Sequence, residues 1–306
     1  MFDLSHSSTS FARSRVLSGT GGGASSAHPT PLFGQEGLAP SLSVIFPAFN
    51  EEANIKRTVE SARAILPQIA EQWEIIVVDD GSKDSTRDIC DELIELYPEV
   101  RAIHHPQNRG YGAALKSGIL AAQFGLIFFT DSDGQFDLVE LESLIRWSKD
   151  YDMVIGYRGK RQDPPHRLLN AFGWNLLVRM VLGVKVRDID CAFKLFRREV
   201  FDRIQIRSVG AMVNTEILAQ ATSLGMSMRE IRVSHYPRQY GTPSGANLRV
   251  IVKAFRELGR LWKQLRQVDD QQEGLFYCDP EAESDRAYLW DRCASENAPA
   301  QGMQVP

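Results

Sequence analysis

The chain is poor in cysteine, with four in 306 residues, and Cys90, Cys191, Cys278 and Cys293 never fall in a C-x-x-C spacing. That argues against a disulfide framework and a zinc site, and reads as reduced, cytoplasmic usage. No apolar run approaches the roughly 18 residues of a membrane span. The opening "MFDLSHSSTSFARS" lacks a basic region followed by an apolar core, so it does not read as a secretory signal. Charge of one sign is lacking too. The net of -4 argues against nucleic acid as a partner. Residues 269–306 hold nine acids against Arg286 and Arg292, a net of -7, which leaves the rest of the chain at +3. No G-x-G-x-x-G or G-x-x-x-x-G-K-[ST] loop follows the first apolar run, which weakens dinucleotide and P-loop readings.

What is present has a strong rhythm. Residues 1–40 are rich in Ser, Gly, Thr and Pro and read as a disordered tail; residues 269–306 read as an acidic one. Between them short apolar runs alternate with helical patterns. "LSVIF" precedes a helix from about Glu51 to Leu66, and "EIIVVDD" precedes one through Tyr97. "VRAIHH" precedes one to about Gln123, and "LIFFTDSD" one through Ser148, before "DMVIGYR". Apolar runs of this length separated by helices predict an α/β fold with a doubly wound, mostly parallel sheet. Beyond Arg158 the rhythm loosens, with strands expected at "DCAFKLF" and "MREIRVS".

Ligands of such sheets bind beyond the carboxyl ends of the strands. Acidic residues gather there: Glu51 after the first, Asp79 and Asp80 after the second, Asp131 and Asp133 after the fourth. Asp84 or Ser85 suits a helix cap equally well. Asp131 and Asp133 together fit capping poorly and suit a hard divalent ion, Mg²⁺ or Mn²⁺, whose shell phosphates complete. "NRGYGAALKSG" opens a helix, and its amides suit either an anion or a tight turn.

"SVIFPAFNEE", "EIIVVDDGSKDST", "NRGYGAALKSG" and "TDSDGQFD", in this order, resemble the family 2 glycosyltransferases with the GT-A fold, above all the dolichol- and polyprenyl-phosphate sugar transferases. The resemblance spans about Ser41 to Arg266. It implies a GT-A domain over 41–246; the apolar and basic pattern of 247–268 predicts an amphipathic basic helix after it. The resemblance also implies that Pro47, Phe49 and Glu51 line the nucleoside pocket, although relatives carry Tyr where Phe49 stands. Asp79 and Asp80 would meet base and ribose. Asp131, Asp133 and Gln135 would form the metal and diphosphate site. Arg158, Arg167 and Arg238 would meet donor and acceptor phosphates, with Ser244 after "RQYG" beside them. Ala171 replaces a serine of some relatives.

The implied activity is a metal-dependent, inverting hexosyl transfer from a GDP- or UDP-sugar to a polyprenyl or dolichyl phosphate. Such an acceptor is already anionic and needs no base. A hydroxyl acceptor would call on Asp188 or Asp190, whose alternative role is pairing with Arg187 or Arg197. Glu216 reads as a packing or loop-anchoring residue that could instead touch acceptor. A non-catalytic nucleotide-sugar-binding protein is the reading from another class. The Q-x-x-R-W motif of processive synthases is absent.

In "RVIVKAFRELGRLWKQLRQ", Ile251, Phe255, Leu258, Trp262 and Leu265 share a stripe opposite Arg249, Lys253, Arg256, Arg260 and Lys263. That pattern fits either an interfacial helix on the cytoplasmic face of a membrane or a helix packed on the sheet. "LLNAFGWNLLVRMVLG" is apolar nearly all round and suits a lipid path or a dimer contact.

Overall fold

The computed structural model describes residues 38–159, 165–238 and 256–263, with backbone alone for 165–172. Its strands and helices alternate: β1 (Ala39–Ala48), α1 (Ile55–Ile69), β2 (Ala70–Asp79), α2 (Thr86–Leu96), β3 (Val100–His104), α3 (Tyr111–Ala121) and β4 (Leu126–Phe129). A 3-10 turn (Leu138–Glu140) leads into α4 (Leu141–Ile145). Then come β5 (Met153–Arg158), α5 (Pro165–Leu182), β6 (Lys194–Arg197), α6 (Arg198–Arg203), α7 (Val213–Ser223) and β7 (Met228–Val233). The tails at 1–37 and 264–306 lie outside the described residues, as does most of 247–268.

The described strands form one sheet of seven, in the order β3-β2-β1-β4-β6-β5-β7. Every pairing is parallel except the two made by β6, which runs antiparallel between β4 and β5. The apolar runs are continuous because both faces are covered. Val44, Phe46, Ile75, Val77 and Phe128 meet α1, α2 and α4 on one face. Ile45, Ile76, Val78, Ile127 and Phe129 meet α3 and α7 on the other. Phe128 and Phe129 are wholly buried, and each contributes about 2–3 kcal/mol of burial energy.

Two expectations need correction, and the described part of 247–268 favours one of the two alternatives left open for it. The first helix begins at Ile55 rather than Glu51, because Asn50 takes a left-handed φ of 55° and the residues after it turn. The helix after β4 is short. Beyond Ile145 the amides of Trp147 and Ser148 bond three residues back, and Arg197 draws the Ser148 carbonyl away. Finally, residues 256–263 are helical, but Leu258 and Leu261 are buried in the main core, with Arg256, Arg260 and Lys263 exposed. Leu258 therefore faces protein rather than a membrane.

Gly118 sets how closely α3 approaches β1. A Cβ there would stand 2.4 Å from Ile45 Cγ2 and 3.2 Å from Val78 Cγ2, both in the sheet. Gly118→Ala is expected to cost about 1–3 kcal/mol in urea denaturation. Gly173→Ala in α5 meets nothing within 4 Å and should leave stability unchanged or raise it by up to about 1 kcal/mol.

Candidate active site on the strand-end rim

β2, β1 and β4 are parallel neighbours, so their carboxyl ends finish on one rim. The loops leaving β1 and β2 are stitched together. Asn50 takes a hydrogen bond from the Lys83 amide (2.8 Å) and gives its own amide to Ser82 Oγ (2.9 Å). The Glu51 amide donates to Thr86 Oγ1 (2.8 Å), and the Ser85 amide to Glu52 (2.9 Å). Asp84 accepts from the Thr86 amide (3.1 Å) at the start of α2, whereas Ser85, at the N-cap position, makes no side-chain cap bond.

The two acids closing β2 face inward. Asp79 accepts from the Ser82 amide (2.9 Å) and meets His104 Nδ1 (3.1 Å). Burial pushes its carboxyl up, but these bonds outweigh burial and hold it below the ordinary value. Asp80 is 3% exposed; it meets His105 Nδ1 (2.6 Å) and accepts from the amides of Arg109 (2.9 Å) and Gly110 (2.7 Å). It thereby fixes the turn into α3. Gly110 needs its φ of 102°, and a Cβ would stand 2.3 Å from the Val209 carbonyl. The anion-cradle reading of this segment gives way to the tight-turn one, since Asp80 already occupies two of its amides.

The acids closing β4 are in a different state. Ser132 between them is clamped: its hydroxyl donates to the Pro47 carbonyl (2.8 Å), and its carbonyl accepts from Thr58 Oγ1 (2.9 Å). Gly134 follows with φ 71°, turning the chain back. Asp131 and Asp133 are thus held on a fixed loop.

Burial pushes the Asp133 carboxyl up to about 6; repulsion from Asp131 adds to this, and the Gln135 amide (3.1 Å) and Arg238 only partly offset it. Burial raises Asp131 as well, against the pull of the Tyr111 hydroxyl, Lys194 and Arg158. The nearby cations are already engaged. Arg158 grips Asp188 through Nε (2.6 Å) and Nη2 (2.8 Å). Arg238 bonds Glu51 and forms a longer ion pair with Asp133, at 3.8 Å.

A half-buried Asp131 and a buried Asp133, mutually repelling and with engaged neighbours, are the donor set a hard divalent ion relieves, so the residues fit such an ion. Among the described residues no cluster of three or more His, Cys, Asp or Glu gathers to hold a metal unaided. Gln135 spends its amide nitrogen on the Tyr236 carbonyl (2.8 Å), which leaves its oxygen as the atom able to ligate.

The sequence carries the family 2 pattern across this whole rim. The family model described as "Glycosyl transferase family 2" matches residues 43–205. The chain belongs to that family.

The family 2 domain is 31% identical over 236 residues to glycosyltransferase AglD of Haloferax volcanii, covering 73% of this chain and 37% of AglD. It is 32% identical to a dolichyl-phosphate beta-glucosyltransferase of Trichomonas vaginalis, covering 63% of this chain and 64% of the relative. It is 30% identical to the polyprenol monophosphomannose synthase of Mycolicibacterium smegmatis, covering 71% and 86%. The chain thus spans well under half of AglD and just under two thirds of the Trichomonas protein. Glucosyl-3-phosphoglycerate synthase of Mycobacterium tuberculosis, crystallised with UDP, superposes with a TM-score of 0.57 at 22% identity over 72% of this chain and 80% of that one. This likeness shows the GT-A fold.

Of the other residues expected in the site, Pro47 is buried at the end of β1, and Phe49 just beyond it is 42% exposed. Asp188 pairs with Arg158, not with Arg187 or Arg197. Arg187 instead lies over the Tyr157 ring, and Arg197 donates to the Ser148 carbonyl. Asp190 is exposed. Glu216 accepts from the amides of Arg207 (3.1 Å) and Ser208 (2.8 Å), the anchoring role. The Arg167 side chain and Ser244 lie outside the described residues. Unforeseen from the sequence were Tyr111, Asn214 and Lys194 behind Asp131. One signal was available: "AFKLF" puts a lysine where the apolar run of a central strand should continue.

The raised Asp133 makes its ionisation a cost to the folded state. That cost is absent below the ordinary value of 3.8, grows as pH climbs to about 6, and is complete above it. Asp133→Asn in metal-free protein should therefore gain about 3 kcal/mol at pH 7.5 and nothing at pH 3.5. Denaturation at the two pH values checks both halves.

Proposed function

We propose that the chain is an inverting glycosyltransferase that moves a hexose from a GDP- or UDP-sugar to a polyprenyl or dolichyl phosphate, with Mg²⁺ or Mn²⁺ as its cofactor. The observation that carries the reading is the raised Asp131–Asp133 pair on the strand-end rim. The names of the relatives supply the acceptor class: dolichyl phosphate, polyprenol and, in Pectobacterium, undecaprenyl phosphate. The Mycobacterium synthase, crystallised with Mn²⁺ and UDP-glucose, supplies the donor and metal classes.

The bond between the anomeric carbon and the diphosphate breaks as an oxygen of the lipid phosphate bonds that carbon from the opposite face. Asp131 and Asp133 would hold a divalent ion, with Gln135 beside them, and the ion would neutralise charge on the departing diphosphate. Arg158, aimed by both oxygens of Asp188, offers its remaining guanidinium edge to a phosphate. Arg238, tied to Glu51, can exchange that carboxylate for a phosphate as donor or acceptor arrives. Phe49, just past Pro47, supplies the apolar wall for a base. Arg167 and Ser244 are assigned to the acceptor phosphate by their motif positions. Contact with the cytoplasmic face of a membrane follows from the acceptor rather than from a spanning segment; no described helix is long and apolar enough to cross.

A second reading keeps the donor chemistry and takes a hydroxyl acceptor, in keeping with the phosphoglycerate of the Mycobacterium synthase. The base would then be Asp190, which is exposed, rather than Asp188, whose oxygens are committed to Arg158.

Donor turnover with undecaprenyl phosphate and with 3-phosphoglycerate separates these readings. Lipid-dependent turnover is expected, lost on chelation and restored by Mn²⁺. Asp133→Asn should lower it by about 100-fold or more, and Asp190→Asn should leave it within about threefold. Turnover with the soluble acceptor alone, lost in Asp190→Asn, would replace the first reading by the second. Nucleotide binding without turnover on any pair would make the chain a binding protein.

A further inference from the structure

Lys194 is fully buried at the centre of the sheet. It stands in β6 opposite Phe129 of β4, where an apolar side chain would ordinarily be found. An ammonium withdrawn from water is tolerated only when its three protons are bonded. Here each one is: they go to the carbonyls of Ile189 (3.2 Å) and Cys191 and to Asn214 Oδ1 (3.2 Å).

The destinations are informative. The Ile189 and Cys191 carbonyls flank Asp190, so one side chain pins the backbone on both sides of that acid. Asp188, one residue earlier, gives both oxygens to Arg158. Asn214 opens α7 beside Tyr111, whose buried hydroxyl sits close to Asp131. A single cation therefore joins the segment that aims Arg158 to the helix that backs the β4 acids. A methionine of similar length would fill the same volume and leave two loop carbonyls without donors.

We propose that Lys194 is a positioning residue for the transfer step, a strut that fixes the Asp188–Cys191 loop and through it the Arg158 guanidinium and the Asp190 carboxylate. It touches neither donor nor acceptor. The inference rests on the sugar-transfer reading of the rim, and its test has one arm that does not.

Lys194→Met in the full chain, followed by amide hydrogen exchange and donor kinetics, supplies that test. Exchange over residues 188–192 should rise by about tenfold or more while α1, α2 and α3 keep wild-type protection. With donor and lipid phosphate, kcat should fall by about 100-fold, with the donor KM changed less than about threefold. A strut that merely held the fold would raise exchange throughout and spare kcat in the folded fraction. Wild-type exchange at 188–192, or wild-type kcat, overturns the proposal. If Lys194→Met does not fold, Asn214→Leu, which removes one acceptor and keeps the lysine, is judged by the same two readouts. If the wild-type chain turns over no donor, the transfer reading falls by itself, and exchange at 188–192 alone supports or overturns the strut.

Discussion

The site is organised by repulsion. Asp131 and Asp133 are set a single residue apart, drawn out of water, and held there by a serine clamped to two neighbouring elements. Left alone, such a pair relieves itself by taking up protons, and that is the direction in which both carboxyls are shifted. A folded chain bears such a cost where a function uses it. The surrounding cations offset this repulsion only in part, because each is also held by another partner. Arg158 is occupied by Asp188, Arg238 leans on Glu51, and Lys194 is turned toward carbonyls and Asn214.

The remaining acids of the rim show how differently the same side chain can be used. Asp79 and Asp80 end β2 as Asp131 and Asp133 end β4, yet they are saturated with donors from histidines and backbone amides. Asp80 builds the turn into α3, and Glu216 builds the turn at Arg207 and Ser208 against which Gly110 and Gly112 pack. These groups hold the frame on which the β4 loop is displayed. Asp79 and Asp80 are thus already engaged by protein donors, whereas Phe49, just beyond β1, stands exposed on the same rim.

Much of this was legible in the sequence. Continuous apolar runs such as "EIIVVDD" and "LIFF" announced strands covered on both faces, and the acids after them announced the rim. What escaped was pairing across distance. Nothing local in "RDIDCAFKLFRR" says that Asp188 reaches back to Arg158 rather than to the adjacent Arg187, since that choice is made by β5 and β6 lying side by side. The helix after Asp137 was overextended because its apolar pattern runs on while hydrogen bonding tightens to three-residue steps. Periodicity shows an apolar stripe through Leu258 and cannot say what that stripe packs against. Lys194 was visible as an oddity and meaningless until its three acceptors were in place.

The central claim is electrostatic, and carboxyl carbons report it directly. ¹³C NMR of aspartate-labelled protein, titrated with and without Mg²⁺ and a nucleoside diphosphate, follows the ionisation of Asp131 and Asp133. The account predicts one carboxyl, missing in Asp133→Asn, that titrates near 6 in metal-free protein and returns to the ordinary carboxylate range or below once metal and nucleotide are added. An Asp133 that already titrates at the ordinary value and ignores both additions would contradict it.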